Sequence, residues 1–117
     1  MTYFYLATPY SKYSGGIEAA FAMACENTAL LLKSGVTIFS PIAYAHSISE
    51  YGGIDPLDLS IWLPAYAPMM NAAYGLIVLM ADGWEESGGV SAERAAFKVA
   101  HKPILYMVPG IVPAVLA

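Results

Sequence analysis

Gly75-Leu76-Ile77-Val78-Leu79-Met80, followed by Ala81-Asp82-Gly83-Trp84-Glu85-Glu86-Ser87-Gly88-Gly89, is the stretch whose reading decides the fold. The run from Gly75 to Met80 carries no charge and reads as a buried strand, and the polar, glycine-rich run from Ala81 to Gly89 reads as a turn. A helix is expected from about Ser87 to His101 and a last strand from Pro103 to Val108. Strand, turn, helix and strand make a βαβ unit, which joins parallel strands.

The same grammar recurs upstream. Tyr3 to Ala7 is apolar and aromatic, Thr8 to Gly16 is a loop of hydroxyls and glycines, and Ile17 to Ser34 is rich in Ala, Leu and Met. Lys33 in its last turn and Gly35 just beyond mark the end of that helix. Val36 to Phe39 reads as a strand stopped by Ser40-Pro41, and turn residues without a sustained period predict a long loop from there to Asp55. Asp58 to Ala73 reads as a helix, irregular around Pro64 and Pro68. The expectation is one α/β domain over residues 1–117, a three-layer Rossmann-like or flavodoxin-like arrangement with a parallel sheet of four or five strands. Ligands in such sheets bind outside the carboxyl ends of the strands, here after Ala7, Phe39 and Met80.

Composition narrows the partners. Hydrophobic residues make up 58% and charged residues only 12% of the 117, against about 25% charged in ordinary globular domains. Something apolar must be covered, and a homo-oligomer, at least a dimer, is the expected covering. The charge-free run Leu59 to Ala81 is long enough for a membrane span, but Pro64, Pro68, Asn71 and Gly75 interrupt it, so no membrane is expected. A net charge of −4 with five scattered basic residues argues against polymeric nucleic acid. Nothing at the start resembles a secretory leader, so the expected location is cytoplasmic. Cys25, the single cysteine, reads as core packing.

Among residues able to carry chemistry, Glu93 stands out. On a helical wheel it shares a face with Gly89, Val90, Ala96, Phe97 and Ala100, the face that must meet the sheet, where a carboxylate is costly unless satisfied. The readings are a structural carboxylate held by a tyrosine hydroxyl or an amide, and a catalytic or ribose-binding acid. Ser87-Gly88-Gly89 reads as a helix cap whose bare amides suit an anion. The first loop offers Thr8, Tyr10 and Ser11 without the spacing of a P-loop or dinucleotide fingerprint, and no cofactor is expected. His46, placed in the second loop, is a candidate substrate contact or a carbonyl-bonded structural residue. Asp55, Asp58 and Asp82 are loop acids. His46, His101 and the acids show no metal-ligand spacing, so no metal is expected.

Tyr5-Leu6-Ala7-Thr8-Pro9-Tyr10-Ser11, Phe39-Ser40-Pro41 followed by His46, Trp62-Leu63-Pro64, and Asp82 to Gly89 leading to Glu93 together resemble a family of small bacterial and phage proteins. It is a domain of unknown function within the nucleoside 2-deoxyribosyltransferase-like superfamily. The likeness covers the chain from near Tyr3 to near Gly110. By that resemblance Glu93 matches a nucleophile that breaks the bond between base and sugar in a nucleoside or nucleoside 5′-monophosphate. Ser87 matches a phosphate- or sugar-contacting serine and Tyr5 a tyrosine at the end of the first strand. The leading expectation is that Tyr5, Tyr10 and Trp62 shape the base site. The chain departs from the pattern at Tyr66, where relatives place an aspartate, and at Tyr74, where many have an acid. The expected catalytic set is Glu93, Tyr66 and Asp58. The alternative is a catalytically silent nucleotide-binding or sensing module, and a further one a purely structural oligomeric domain.

Overall fold

A computed structural model describes residues 2–117. Four strands, β1 (Phe4–Ala7), β2 (Ile38–Phe39), β3 (Gly75–Leu79) and β4 (Ile104–Met107), pair in parallel in the order β2-β1-β3-β4. Helices α1 (Ile17–Lys33), α2 (Pro41–Gly52), α3 (Leu59–Ala72) and α4 (Gly88–Val99) make the connections. This is the expected α/β class, a three-layer Rossmann-like arrangement.

Alternation along each strand divides the core in two. Leu6, Ile77, Leu79 and Met107 face α1, where they meet Met23, Leu31 and Val36. Tyr5, Ala7, Leu76 and Val78 face the other way, onto Ala73, Val90 and Phe97. Every residue of β3 is buried, as a central parallel strand covered on both faces requires, and each such apolar side chain contributes about 1.5–3 kcal/mol. The apolar tail beyond Gly110 folds back on this chain, with Val112 and Leu116 against the α1-side core.

The predicted loop from Ser40 to Asp55 is largely helical. Ser40 is an N-cap whose hydroxyl accepts from the Ala43 amide at 3.2 Å, Pro41 occupies the first turn, and Gly53 closes α2 in the left-handed region at φ 73°. Helix α3 runs without a break through Pro64 and Pro68, where an irregularity was expected. Among the described residues no helix is long and apolar enough to cross a membrane.

The strand order places the reversal of winding between β1 and β3, since the chain moves outward to β2 from one and to β4 from the other. A crevice opens at such a point, outside the carboxyl ends of the strands. The segments that leave β1 and β3 there are Thr8–Gly16 and Met80–Ser87.

Candidate functional site

The two loops at the switch point are fitted against each other. Gly83 sits at φ 86°, and a Cβ there would collide with the Lys12 carbonyl, so only glycine lets the second loop lie on the first. The second loop ends in Ser87, whose buried hydroxyl accepts from the Val90 amide at 3.2 Å and caps α4. Gly88 and Gly89, the first two helical residues, are exposed, and packing demands neither. A Cβ on Gly88 would meet nothing within 4 Å, and one on Gly89 only the Ser87 hydroxyl at 3.8 Å.

Glu93 lies in the second turn of α4, on the stripe Val90, Glu93, Phe97 that turns toward the sheet. Ala96 and Ala100, expected on the same face, are exposed, so the buried stripe is narrower than the wheel predicts. Glu93 itself is neither sealed nor turned to solvent: it is partly buried. The polar group that faces it is the hydroxyl of Tyr5 of β1, whose fully buried ring packs between Phe39 at 5.7 Å and Phe97 at 5.8 Å. The Tyr5 hydroxyl faces the Glu93 carboxyl without closing a hydrogen bond of ordinary geometry, which leaves it without a partner.

Burial pushes the Glu93 carboxyl up to about 8, and the Tyr5 hydroxyl pulls it partly back. The Tyr5 phenol is raised in turn, first by burial and then by Glu93. Burial and then Glu93 also raise the Tyr66 phenol, with smaller contributions from Tyr10 and Tyr44. The result is one acid that exchanges its proton near neutral pH among phenols that stay protonated and donate hydrogen bonds.

A second constellation borders this one. The Tyr10 hydroxyl lies 2.6 Å from His46 Nδ1, and His46 Nε2 lies 3.1 Å from Glu18 Oε1. His46 is buried on α2, not in a loop, and its ring stacks on Phe21 at 4.2 Å. With Nε2–H donating to the carboxylate, Nδ1 accepts the phenolic proton. The chain Glu18, His46, Tyr10 links α1, α2 and the first loop.

The other expected residues have local duties. Thr8 is buried with its hydroxyl unpartnered, whereas Ser11 is exposed on a turn. Trp62 is buried, donates from Nε1 to the Asp55 carbonyl at 3.0 Å and stacks on Tyr66 at 6.1 Å. The Tyr66 hydroxyl makes only a long contact, 3.5 Å to the Pro41 carbonyl. Asp58 caps α3 through Ser60, accepting from its amide at 3.1 Å and its hydroxyl at 2.6 Å, and Asp55 accepts from the Leu57 amide at 3.0 Å. Asp82 is exposed, and Tyr74 packs edge-on against Phe4 at 5.5 Å. The Cys25 thiol is raised by burial and by Glu26, which keeps it protonated. A cavity of about 730 Å³ lies between α1 and the Pro109-Gly110 turn, and Glu93 does not line it. Sequence reading did not single out Glu18, Glu50, Phe21 or Tyr44.

Residues 2–108 match the family described as Domain of unknown function (DUF1937). The chain belongs to that family. A search of curated proteins found no match.

Proposed function

We propose that this DUF1937 domain cleaves or transfers the N-glycosidic bond of a nucleoside or nucleoside 5′-monophosphate, with Glu93 as the nucleophile. The observation that carries the reading is the Glu93 carboxyl, partly buried on the sheet-facing stripe of α4 and facing the Tyr5 hydroxyl of β1. Resemblance to the nucleoside 2-deoxyribosyltransferase-like superfamily supplies the reaction class.

In this reading the Glu93 carboxylate attacks C1′ as the C1′–N bond breaks, and the bond electrons leave with the base nitrogen, which takes a proton from Tyr66. Water then attacks C1′, returns its proton to the Tyr66 phenolate and frees Glu93; a second base in place of water gives transfer. Tyr5 hydrogen-bonds the carboxylate, and the uncovered amides of Gly88 and Gly89 at the start of α4 receive the phosphate or sugar. Tyr10 and Trp62 flank the base. Exposed Leu57, Leu59, Ile61 and Leu63 around α3 form the apolar surface through which the domain is proposed to self-associate.

The second reading, a silent nucleotide-binding module, draws on two observations. Tyr66 cannot act as a carboxylate, and Asp55 and Asp58 are already engaged in backbone capping. Incubation with a panel of nucleosides and 5′-monophosphates, with chromatography for free base, tests both. Base release that disappears in Glu93→Ala supports the enzyme. Calorimetric binding without release supports the module, and the absence of both binding and release makes the glycosyl-transfer reading untenable.

A further inference from the structure

We propose that Glu18, His46 and Glu50 form a site for a first-row divalent metal ion of the zinc class at the seam between α1 and α2. The sequence disfavours a metal for want of ligand spacing, yet the fold brings one imidazole nitrogen and two carboxylate oxygens within 4.8 Å of one another. This inference does not depend on Glu93 or on any glycosyl chemistry.

The ligands come from rigid elements. His46 and Glu50 are one turn apart on α2, so they share a face. Glu18 stands in the first turn of α1, which packs against α2. Around a tetrahedral zinc, with ligands at about 2.0–2.2 Å, donor atoms lie roughly 3.3–3.6 Å apart. The 3.1 Å separation of His46 Nε2 and Glu18 Oε1 is already close to that. Both glutamates are exposed, so the remaining closure is a rotamer change at the surface.

Charge and orientation point the same way. Among the described residues neither carboxylate forms a salt bridge with Lys or Arg; Glu18 meets only the imidazole. Two carboxylates and a neutral imidazole leave a local charge that a divalent cation cancels. The ring is fixed before any ion arrives: His46 is 4% exposed, stacked on Phe21, and held at Nδ1 by the Tyr10 hydroxyl. A partner on the second nitrogen is the usual outer-shell device that aims a metal-ligating histidine. On binding, Nε2 gives its lone pair to the ion and the ring proton resides on Nδ1, which donates to the Tyr10 oxygen. One nitrogen and two oxygens select a zinc-class ion over magnesium or calcium, which favour all-oxygen shells.

The test is a titration of the chelator-stripped full chain with ZnCl₂ by calorimetry, with CoCl₂ followed by its visible absorption, and with MgCl₂ for comparison. Zinc is expected to bind at a single site and cobalt to develop ligand-field bands. Glu50→Gln, an exposed change that leaves folding intact, is expected to weaken zinc by more than the roughly 10- to 100-fold that loss of an outer-shell partner costs, and Tyr10→Phe by about 10-fold. Zinc affinity unchanged in Glu50→Gln, absence of cobalt bands, or magnesium binding as tightly as zinc overturns the proposal.

Discussion

Tyr5 and Glu93 shift each other's protons in opposite directions: the phenol lowers the acid that burial has raised, while the acid raises the phenol. A buried hydroxyl without an ordinary partner normally costs about 1–3 kcal/mol. Here it faces the one carboxyl on the sheet-facing stripe of α4, and the pair stays poised between an unsatisfied and a charged state.

That poise sets a pH dependence of stability. Below about 4.5, the ordinary value for the acid, Glu93 is protonated folded and unfolded alike. Between there and about 8 the unfolded chain ionises while the folded one keeps its proton, so unfolding releases a proton and stability falls as pH rises, at up to about 1.4 kcal/mol per unit. Above 8 the fall levels off. Glu93→Gln cannot ionise, and denaturant titrations are expected to find it close to wild type at low pH and a few kcal/mol more stable at pH 9. An equal decline in both proteins would place the Glu93 carboxyl in solvent.

Tyr5→Phe separates the two halves of the pair. Removing an unpartnered buried hydroxyl is expected to leave stability at low pH unchanged or raised by up to about 1 kcal/mol. It also removes the group that draws the Glu93 carboxyl downward, so the midpoint of the stability decline moves to higher pH. Denaturation curves across the pH range read both effects, and a midpoint that moves down contradicts the assigned direction of coupling.

The strands and three helices are legible in the sequence because charge-free runs and helix-end residues announce them. Helix α2 is not. Ser40-Pro41 reads as a strand stop, although the same pair is an N-cap with proline in the first turn, and Ser47, Ser49, Tyr51 and Gly52 blur any apolar period. Missing that helix hides the one-turn spacing of His46 and Glu50, and nothing local brings Glu18 to them across 28 residues. Glu93 is different: the wheel turns it toward the sheet, because Val90 and Phe97 flank it on one stripe. Which strand residue meets it depends on how α4 seats over β1, a tertiary fact no window of sequence contains.

Gly83→Ala tests the fit between the site loops. The substitution places an L side chain in the left-handed region and drives its Cβ into the Lys12 carbonyl. A loss of about 2–4 kcal/mol is expected, from backbone strain together with displacement of the first loop. Gly110→Ala is the control, since its φ of 83° is equally unfavourable but a Cβ there meets nothing within 4 Å. It should cost about 1 kcal/mol. Equal losses in thermal melts would mean that the two loops do not rest on each other.

Gly89→Ala sets stability against binding at the start of α4. Gly89 has ordinary backbone geometry, and its added methyl would make only van der Waals contact with the Ser87 hydroxyl at 3.8 Å. Replacing glycine by alanine inside a helix then stabilises by up to about 1 kcal/mol, through helix propensity and a less flexible unfolded chain. The same methyl stands over the amides assigned to the phosphate or sugar, so a nucleoside 5′-monophosphate should bind more weakly although the protein melts higher. Calorimetry and melting on one preparation measure the two together. A variant that melts higher and binds the monophosphate as before would remove the α4 amides from the site.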